Sequence, residues 1–388
     1  MYVTRPLSLY NSNPNASSAP PPEGPGSGVL VMWDEAAEAE AMSCWGLCKD
    51  TRLYKLPFLQ NRKTEIRYTT GSGDDQRTTY DEVYFIPVVD QPLSSNLYYA
   101  IKADGRHRGK AATCSREEDM GTCLCFNFVN DTKPFAFDPT NIYQQVEIIP
   151  RGHGRFTAKA VASDGFPPDF LRRKGWRAYA SLPKSFVFEG EANGIDMPLR
   201  SRMPGLDSPP VVVGKWYSPF IFIKEGDRLK DQMKKSMYYE ITLQQFWEEI
   251  YVCGKSSTTL SSNGENKVKV STSVRRQVAL LNGNESVEDD VMVVDEFMWF
   301  KAVNSMENGF GLSMVVCERM RWEENRFGWL NGMENVVRVE RVEENEVDGW
   351  KRFSCFVLVE RFVFKRMDGS LAFTIDFKHV DKIRAKWE

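Results

Sequence analysis

The sequence predicts an α+β fold, β-rich and mainly antiparallel, with a few short helices and two domains. Three observations predict it. Runs of Val, Ile, Phe, Tyr and Trp, four to eight residues long and bounded by Gly, Pro, Asn or Asp, recur along the whole chain and have strand composition. Pro198, Pro204, Pro209 and Pro210 interrupt the chain near its middle and divide it into pieces of similar size. Asp368-Gly369 sits between two runs that pair across it: a two-residue turn joining Met367 to Ser370 sets Phe364 opposite Phe373, Phe362 opposite Ile375 and Arg361 opposite Asp376. A one-residue slip would turn Phe362 and Phe364 into water, so this register is strongly specified.

Taken in order, residues 1–27 read as a Pro-, Ser- and Asn-rich N-terminal arm with too few large apolar side chains between 11 and 28 to fold unless docked. Residues 28–203 form the first domain, with strands expected at 84–86, 97–101, 146–149 and 186–188, and a reversal at Asp104-Gly105. Ser115 and Glu118 have the spacing of a capping box, and Pro168 opens a short helix through Phe170 and Leu171 that Gly175 closes. Residues 211–388 form the second domain, with strands expected at 220–223, 268–274, 298–303, 336–342 and 353–365 and a flexible loop at 254–266. Its clearest helix is 243–251: Thr242 and Gln245 fit a capping box, and Leu243, Phe246, Trp247, Ile250 and Tyr251 recur at helical spacing.

Composition excludes some functions. Of 388 residues, 50 are basic and 53 acidic, a formal net charge of -3, so no global field draws in nucleic acid or an anionic membrane. No run approaches the ~20 apolar residues of a membrane span, and residues 1–15 lack the apolar core of a signal peptide. Eight cysteines scattered over this length read as reduced thiols, and the expected location is cytoplasmic or nuclear, not secreted. The glycosylation-type triplets at Asn15, Asn130 and Asn284 are then idle.

Chemistry is sparse. Gly24-Pro25-Gly26-Ser27-Gly28 and Gly71-Ser72-Gly73 lack the strand-to-helix context and the Lys of a phosphate cradle, and read as turns. Cys44 and Cys48, and Cys123 and Cys125, are unlike pairs far apart, which favours ordinary thiols over a four-ligand zinc site. Only three histidines exist, at 107, 153 and 379, which thins acid-base hypotheses. His107 with Cys114 is the one possible nucleophile and base pair, against the simpler reading of a strand ending in a capped turn. Paired carboxylates at Glu248-Glu249, Glu323-Glu324 and Glu343-Glu344 point apart on any regular element and read as solvated faces. Basic and aromatic mixtures at 172–177 and 319–322 could clamp a phosphate or a base, but packing explains them more simply.

The segments MYVTRPLSLY, PPPEGP, TCSREEDM, NIYQQVEII, DGFPPDFLRRKGW, VVVGKWYSPFIFIKE, DQMKKSMYYEITLQQFWEEIY and GWKRFSCFVLVERFVFKRMDGSLAFTIDFKHVDKIRAKW together resemble a plant-specific domain of unknown function, DUF1262, in order along nearly the whole chain. The resemblance implies a plant source and an intracellular protein, and it brings no reaction, cofactor or catalytic residue. The expectation is a non-catalytic interaction or regulatory module with protein partners. No catalytic, cofactor-binding or metal residue is assigned. Two alternatives stand beside it: a thiol enzyme using Cys114 and His107, and a carbohydrate-like ligand module built on Trp176, Trp216, Trp322 and Trp350, which requires those rings to be exposed.

Overall fold

In the computed structural model, the described residues are 1–43, 48–71, 75–123, 126–181, 188, 190–254, 267–281, 283–285, 292–301, 309–329, 334–345 and 349–388. Antiparallel sheet dominates, and the helices are short, the longest being Met314–Arg326. A nine-stranded sheet runs in the order Gly28–Met32, Tyr2–Pro6, Val211–Pro219, Tyr238–Gly254, Arg352–Arg366, Leu371–Trp387, Gln277–Leu281 and Asn284–Glu285, with Gly194–Ile195 paired to Val211–Pro219. Every pairing in it is antiparallel except that between Tyr2–Pro6 and Gly28–Met32. A seven-stranded antiparallel sheet follows the order Phe156–Ala160, Gln145–Pro150, Leu97–Lys102, Arg77–Pro87, Thr64–Thr70, Arg177–Ala180 and Arg52–Leu53. A four-stranded sheet contains Phe297–Phe300 and Phe310–Ser313, and a separate ribbon pairs Lys267–Arg275 with Val336–Glu344.

The hairpin at the end of the chain has the register read from its sequence. Phe364 faces Phe373, Phe362 faces Ile375, and Arg361 faces Asp376. Arg361 grips Asp376 with two hydrogen bonds of 2.6 and 2.7 Å, a bidentate geometry that orients both chains. The turn itself differs from the expected two-residue connection. Arg366 N–H donates to the Ser370 carbonyl at 2.9 Å, leaving a three-residue loop in which Gly369 alone has positive φ, at 80°. A bulge between Phe364 and Lys365 absorbs the extra residue and restores the register beyond it. Asp368 serves as a local acceptor, taking Ser370 N–H at 2.9 Å and its hydroxyl at 2.6 Å. A Cβ at Gly369 meets nothing within 4 Å, so Gly369→Ala carries only backbone strain. We expect a loss of about 1–2 kcal/mol, seen as a lower urea midpoint with an unchanged denaturant slope.

The helix expected at 243–251 is a strand, Tyr238–Gly254. Ile241, Leu243, Gln245 and Trp247 are buried on one face, while Gln244, Phe246 and Glu248 are half-buried on the other. Apolar residues at 243 and 247 satisfy period 2 as well as helical spacing. The long ladders to Val211–Pro219 and Arg352–Arg366 then decide the outcome. Two further corrections are local. Phe220–Phe222 is a 3-10 turn that only then becomes the strand Ile223–Lys224. The capping box begins at Arg116, whose N–H reaches the Asp119 carboxylate at 2.7 Å, because the Ser115 hydroxyl is engaged with Asn130 and Thr132. The short helix after Pro168, Asp169–Arg172, is present. Most of 186–188 and of the loop 254–266 lies outside the described residues.

Residues 1–27 are docked, the condition under which their composition allows them to order. They supply a strand in the nine-stranded sheet, the helix Leu7–Ser12 and the 3-10 turn Pro14–Ser18. Thr4 exchanges two hydrogen bonds with Ala192, its N–H at 2.8 Å and its hydroxyl oxygen at 2.6 Å. Gly24 lies on the Trp322 ring with φ of 101°, where a Cβ would come within 2.7 Å of the ring. The Asp90 carboxylate accepts the N–H groups of Gly26 and Ser27 at 3.1 and 3.0 Å, so this Gly-rich turn has its donors satisfied from within the protein.

The main core joins Tyr84, Ile86 and Tyr99 of the seven-stranded sheet to Tyr217, Phe222 and Tyr239 from beyond the Pro-rich break. A separate cluster lies at the far end of the longest strands, where Val268, Val270, Trp350, Phe353 and Cys355 pack together. Between the two, the ladders are interrupted by irregularities at Glu249/Tyr251 and Val357/Leu358.

Candidate functional site

Six ionisable side chains, none more than 2% exposed, meet beneath the nine-stranded sheet: Arg200, Arg319, Glu323, Glu324, Glu360 and His379. Local sequence positions each of them. Pro198 sits in the first turn of helix Met197–Arg202, which Asp196 caps through Leu199 N–H at 2.9 Å, and this helix presents Arg200. Ser313 caps helix Met314–Arg326, on which Arg319 and Glu323 are one turn apart. Glu360 and His379 lie on adjacent strands, diagonal across the pairs Glu360–Phe377 and Leu358–His379.

Arg200 is the centre of the network. It donates to Glu360 through Nε at 2.8 Å and through Nη2, to Glu323 Oε2 at 3.3 Å, and to the Glu323 carbonyl at 3.1 Å. Gln245 Nε2 donates to the same Glu360 oxygen at 2.8 Å and to the Arg200 carbonyl at 3.1 Å. Arg319 donates to Glu323 at 2.8 Å and also reaches the Ser27 hydroxyl. His379 Nε2 lies 2.9 Å from Glu324 and 3.4 Å from Glu360, with the rings of Phe327 and Trp329 standing edge-on to its imidazole.

Burial sets these protonation states against one another. It would raise the Glu360 carboxyl, but the Arg200 guanidinium and then His379 hold it down at about 2. Glu324 is raised to about 8 by burial and then by the charge of Glu360, with His379 opposing. Burial lowers His379, and its hydrogen bonds to Glu324 and Glu360 more than reverse this, to about 9. At neutral pH His379 is therefore protonated and Glu360 ionised, while Glu324 keeps its proton.

Glu324, Glu360 and His379 each offer one ligand atom, all within 4.8 Å of one another, a spacing that would suit a divalent cation. The surrounding charges oppose one. Arg200 and Gln245 already occupy Glu360, and Arg200 Nη2 stands 3.6 Å from Glu324 Oε1. The set fits an internal ion-pair network better than a metal centre.

The expectation that Glu323-Glu324 faces solvent is corrected by this geometry: both side chains are fully buried. Glu248 and Glu249, by contrast, pair at the surface with Lys378 and Arg352. Cys114 is in the core of the seven-stranded sheet, and burial pushes its thiol up to about 12, the opposite of an activated thiolate. His107 is lowered by burial and by neighbouring Arg106, Lys110, Lys133 and Lys102. Trp176, Trp216 and Trp350 are buried, and Trp322 is half-buried under Gly24, so the four rings form no open platform. Arg172 and Arg173 are spent on Asp131 and Asp169. The side chains of Cys44, Cys48, Cys123 and Cys125 lie outside the described residues.

Sequence reasoning missed an open groove of about 550 Å³. One wall is the segment 50–57, which contains the outermost strand of the seven-stranded sheet, Arg52–Leu53. The other wall is Leu7, Asn11, Trp33 and Ala37. Tyr54 is 51% exposed at its rim, with the Arg52 guanidinium over its ring at 4.8 Å. Asp50 accepts Arg52 N–H at 2.9 Å and the Tyr54 hydroxyl at 3.0 Å.

Fold and site together define a β-rich α+β protein with a sealed ionic network inside and a groove along one sheet edge. Residues 23–126 match the family model described as a protein of unknown function, DUF1262, the family that the sequence segments resemble. No curated protein matches the chain. Among solved structures, the crystal structure of Cry35Ab1 is similar at a TM-score of 0.43 and 12% identity, over 85% of this chain and 90% of that one. A likeness at that level carries no functional argument. Among the described residues, no helix is long and apolar enough to cross a membrane.

Proposed function

We propose that the protein acts by binding and not by catalysis, as an interaction module whose contact site is the groove beside Arg52–Leu53. The observation that carries this reading is the contrast between two places. The acid-base groups that the fold gathers are almost fully removed from solvent and engaged with one another. The open concavity instead holds an exposed Tyr54, apolar walls and a few charged side chains, the composition of a recognition surface. A thiol enzyme is disfavoured by the burial of Cys114, and a platform of Trp176, Trp216, Trp322 and Trp350 by the cover on those rings.

The test compares purified wild-type protein with Tyr54→Ala and with a distant surface control, Lys159→Ala, in quantitative capture from cell extract. Tyr54→Ala should weaken retention of specifically bound material at least about tenfold, as truncation of an aromatic contact residue does, and the control should not. Equal retention by wild type and Tyr54→Ala would remove the groove from consideration.

A further inference from the structure

We infer that the groove receives an extended peptide, which adds a strand to the sheet edge that Arg52–Leu53 forms among the described residues and directs an acidic side chain toward Arg52 and Lys55. This deepens the binding reading and rests on it. The first support is backbone direction. Ala180 N–H donates to the Thr51 carbonyl at 2.7 Å, and Ala178 faces Leu53 in the same ladder. Main-chain groups alternate in direction along a strand, so those of Thr51 and Leu53 point into the sheet and those of Arg52 point out of it. Arg52 N–H is taken by Asp50, within its own segment. Among the described residues, the Arg52 carbonyl and both main-chain groups of Tyr54 accept or donate no hydrogen bond. A strand edge with open donors and acceptors beside a groove is the arrangement that strand-adding domains use.

The second support is charge. Three charged side chains line the groove: Asp50, Arg52 and Lys55. Asp50 is already committed to Arg52 N–H and to the Tyr54 hydroxyl, which leaves the two cations to set the preference. Arg52 Nη2 donates to the His153 carbonyl, and the guanidinium lies over the Tyr54 ring at the groove rim, where its positive charge meets no carboxylate among the ion pairs of the described residues. The third support concerns the alternative of a sugar. A sugar stacks on an aromatic face, and the guanidinium of Arg52 covers one face of Tyr54. Leu7, Ala37 and Leu56 on the walls instead suit the alternate apolar side chains of an extended chain.

The experiment selects binders from a displayed library of linear twelve-residue peptides against the full chain. The expected result is peptides with a central Asp or Glu between alternating apolar residues. Their affinity should fall at least tenfold for the Arg52→Glu/Lys55→Glu variant, which should itself select Lys- or Arg-centred peptides. N-methylation of the main chain at one set of alternate peptide positions should abolish binding, while methylation of the other set is tolerated, because only one edge of an added strand pairs with the protein. Three outcomes would overturn the inference: no peptide above background, peptides indifferent to the charge reversal, or equal tolerance of both methylated series. The capture assay separates the two readings. Loss of retained material in Tyr54→Ala alongside a failed peptide selection leaves a binding groove with a different occupant, and unchanged retention removes both.

Discussion

Arg200→Met should destabilise the protein by about 3–5 kcal/mol, the range for breaking a buried ion pair by removing one partner. The side chain is fully buried, and its guanidinium contacts Glu360, Glu323 and Glu324. Without it, Glu360 keeps only Gln245 and His379 as partners, and a carboxylate is stranded in a place that water does not reach. Most of the loss should therefore come from the groups left behind. The double variant Arg200→Met/Glu360→Leu should recover a substantial part of it, because removing both charges is far cheaper than removing one. Guanidinium denaturation of the wild type and the two variants measures both quantities. A single-variant loss below about 1 kcal/mol would mean that the network contributes little to holding the fold.

The second large effect is a loss of stability on the alkaline side. His379 in the folded protein titrates at about 9, above its ordinary value of 6.5, so its contribution is complete below pH 6.5 and disappears as the pH rises to 9. Glu324 is raised from 4.5 to about 8, and a raised carboxyl likewise loses stability as the pH climbs through that interval. Glu360 has the opposite sign. Its depressed value, about 2 against 4.5, gives a contribution that is present above pH 4.5 and lost in acid. Stability should thus fall from below pH 6.5 to above pH 9 by roughly 3–4 kcal/mol from His379 alone, since a tenfold change in proton affinity corresponds to about 1.4 kcal/mol. Thermal unfolding at half-unit steps from pH 6 to pH 9.5 would show it. His379→Gln should flatten the slope, and superimposable profiles for the two proteins would exclude this pair as its cause.

Much of the architecture was legible because alternation along a strand is local information. Phe362, Phe364, Phe373 and Ile375 can share a buried face in only one register, and the structure adopts it. The same register sets Glu360 diagonal to His379, so one half of the buried network was implicit in the hairpin. The other half was not. Arg200 arrives from 160 positions away through a short helix whose Pro198 reads simply as a break. Arg319 and Glu323 have one-turn spacing, but nothing local shows that their face is turned inward. The strand Tyr238–Gly254 was misread because its apolar residues fit two periods at once, and only its neighbours resolve them. The groove was hidden for a related reason: its walls come from residues 7–11, 33–37 and 50–57, which no motif links.

The strands Tyr238–Gly254 and Leu371–Trp387 have 17 residues each, which at about 3.3 Å per residue makes them roughly 56 Å long. Irregularities at Glu249/Tyr251 and Val357/Leu358 divide that length, and the tip beyond them rests on a small cluster of its own around Trp350 and Phe353. A break in the ladder limits how far fraying can travel. Amide protons at the tip can therefore exchange with solvent in local openings that leave Arg200 and His379 dry, and the molecule tolerates a loose extremity without unlocking its charged interior.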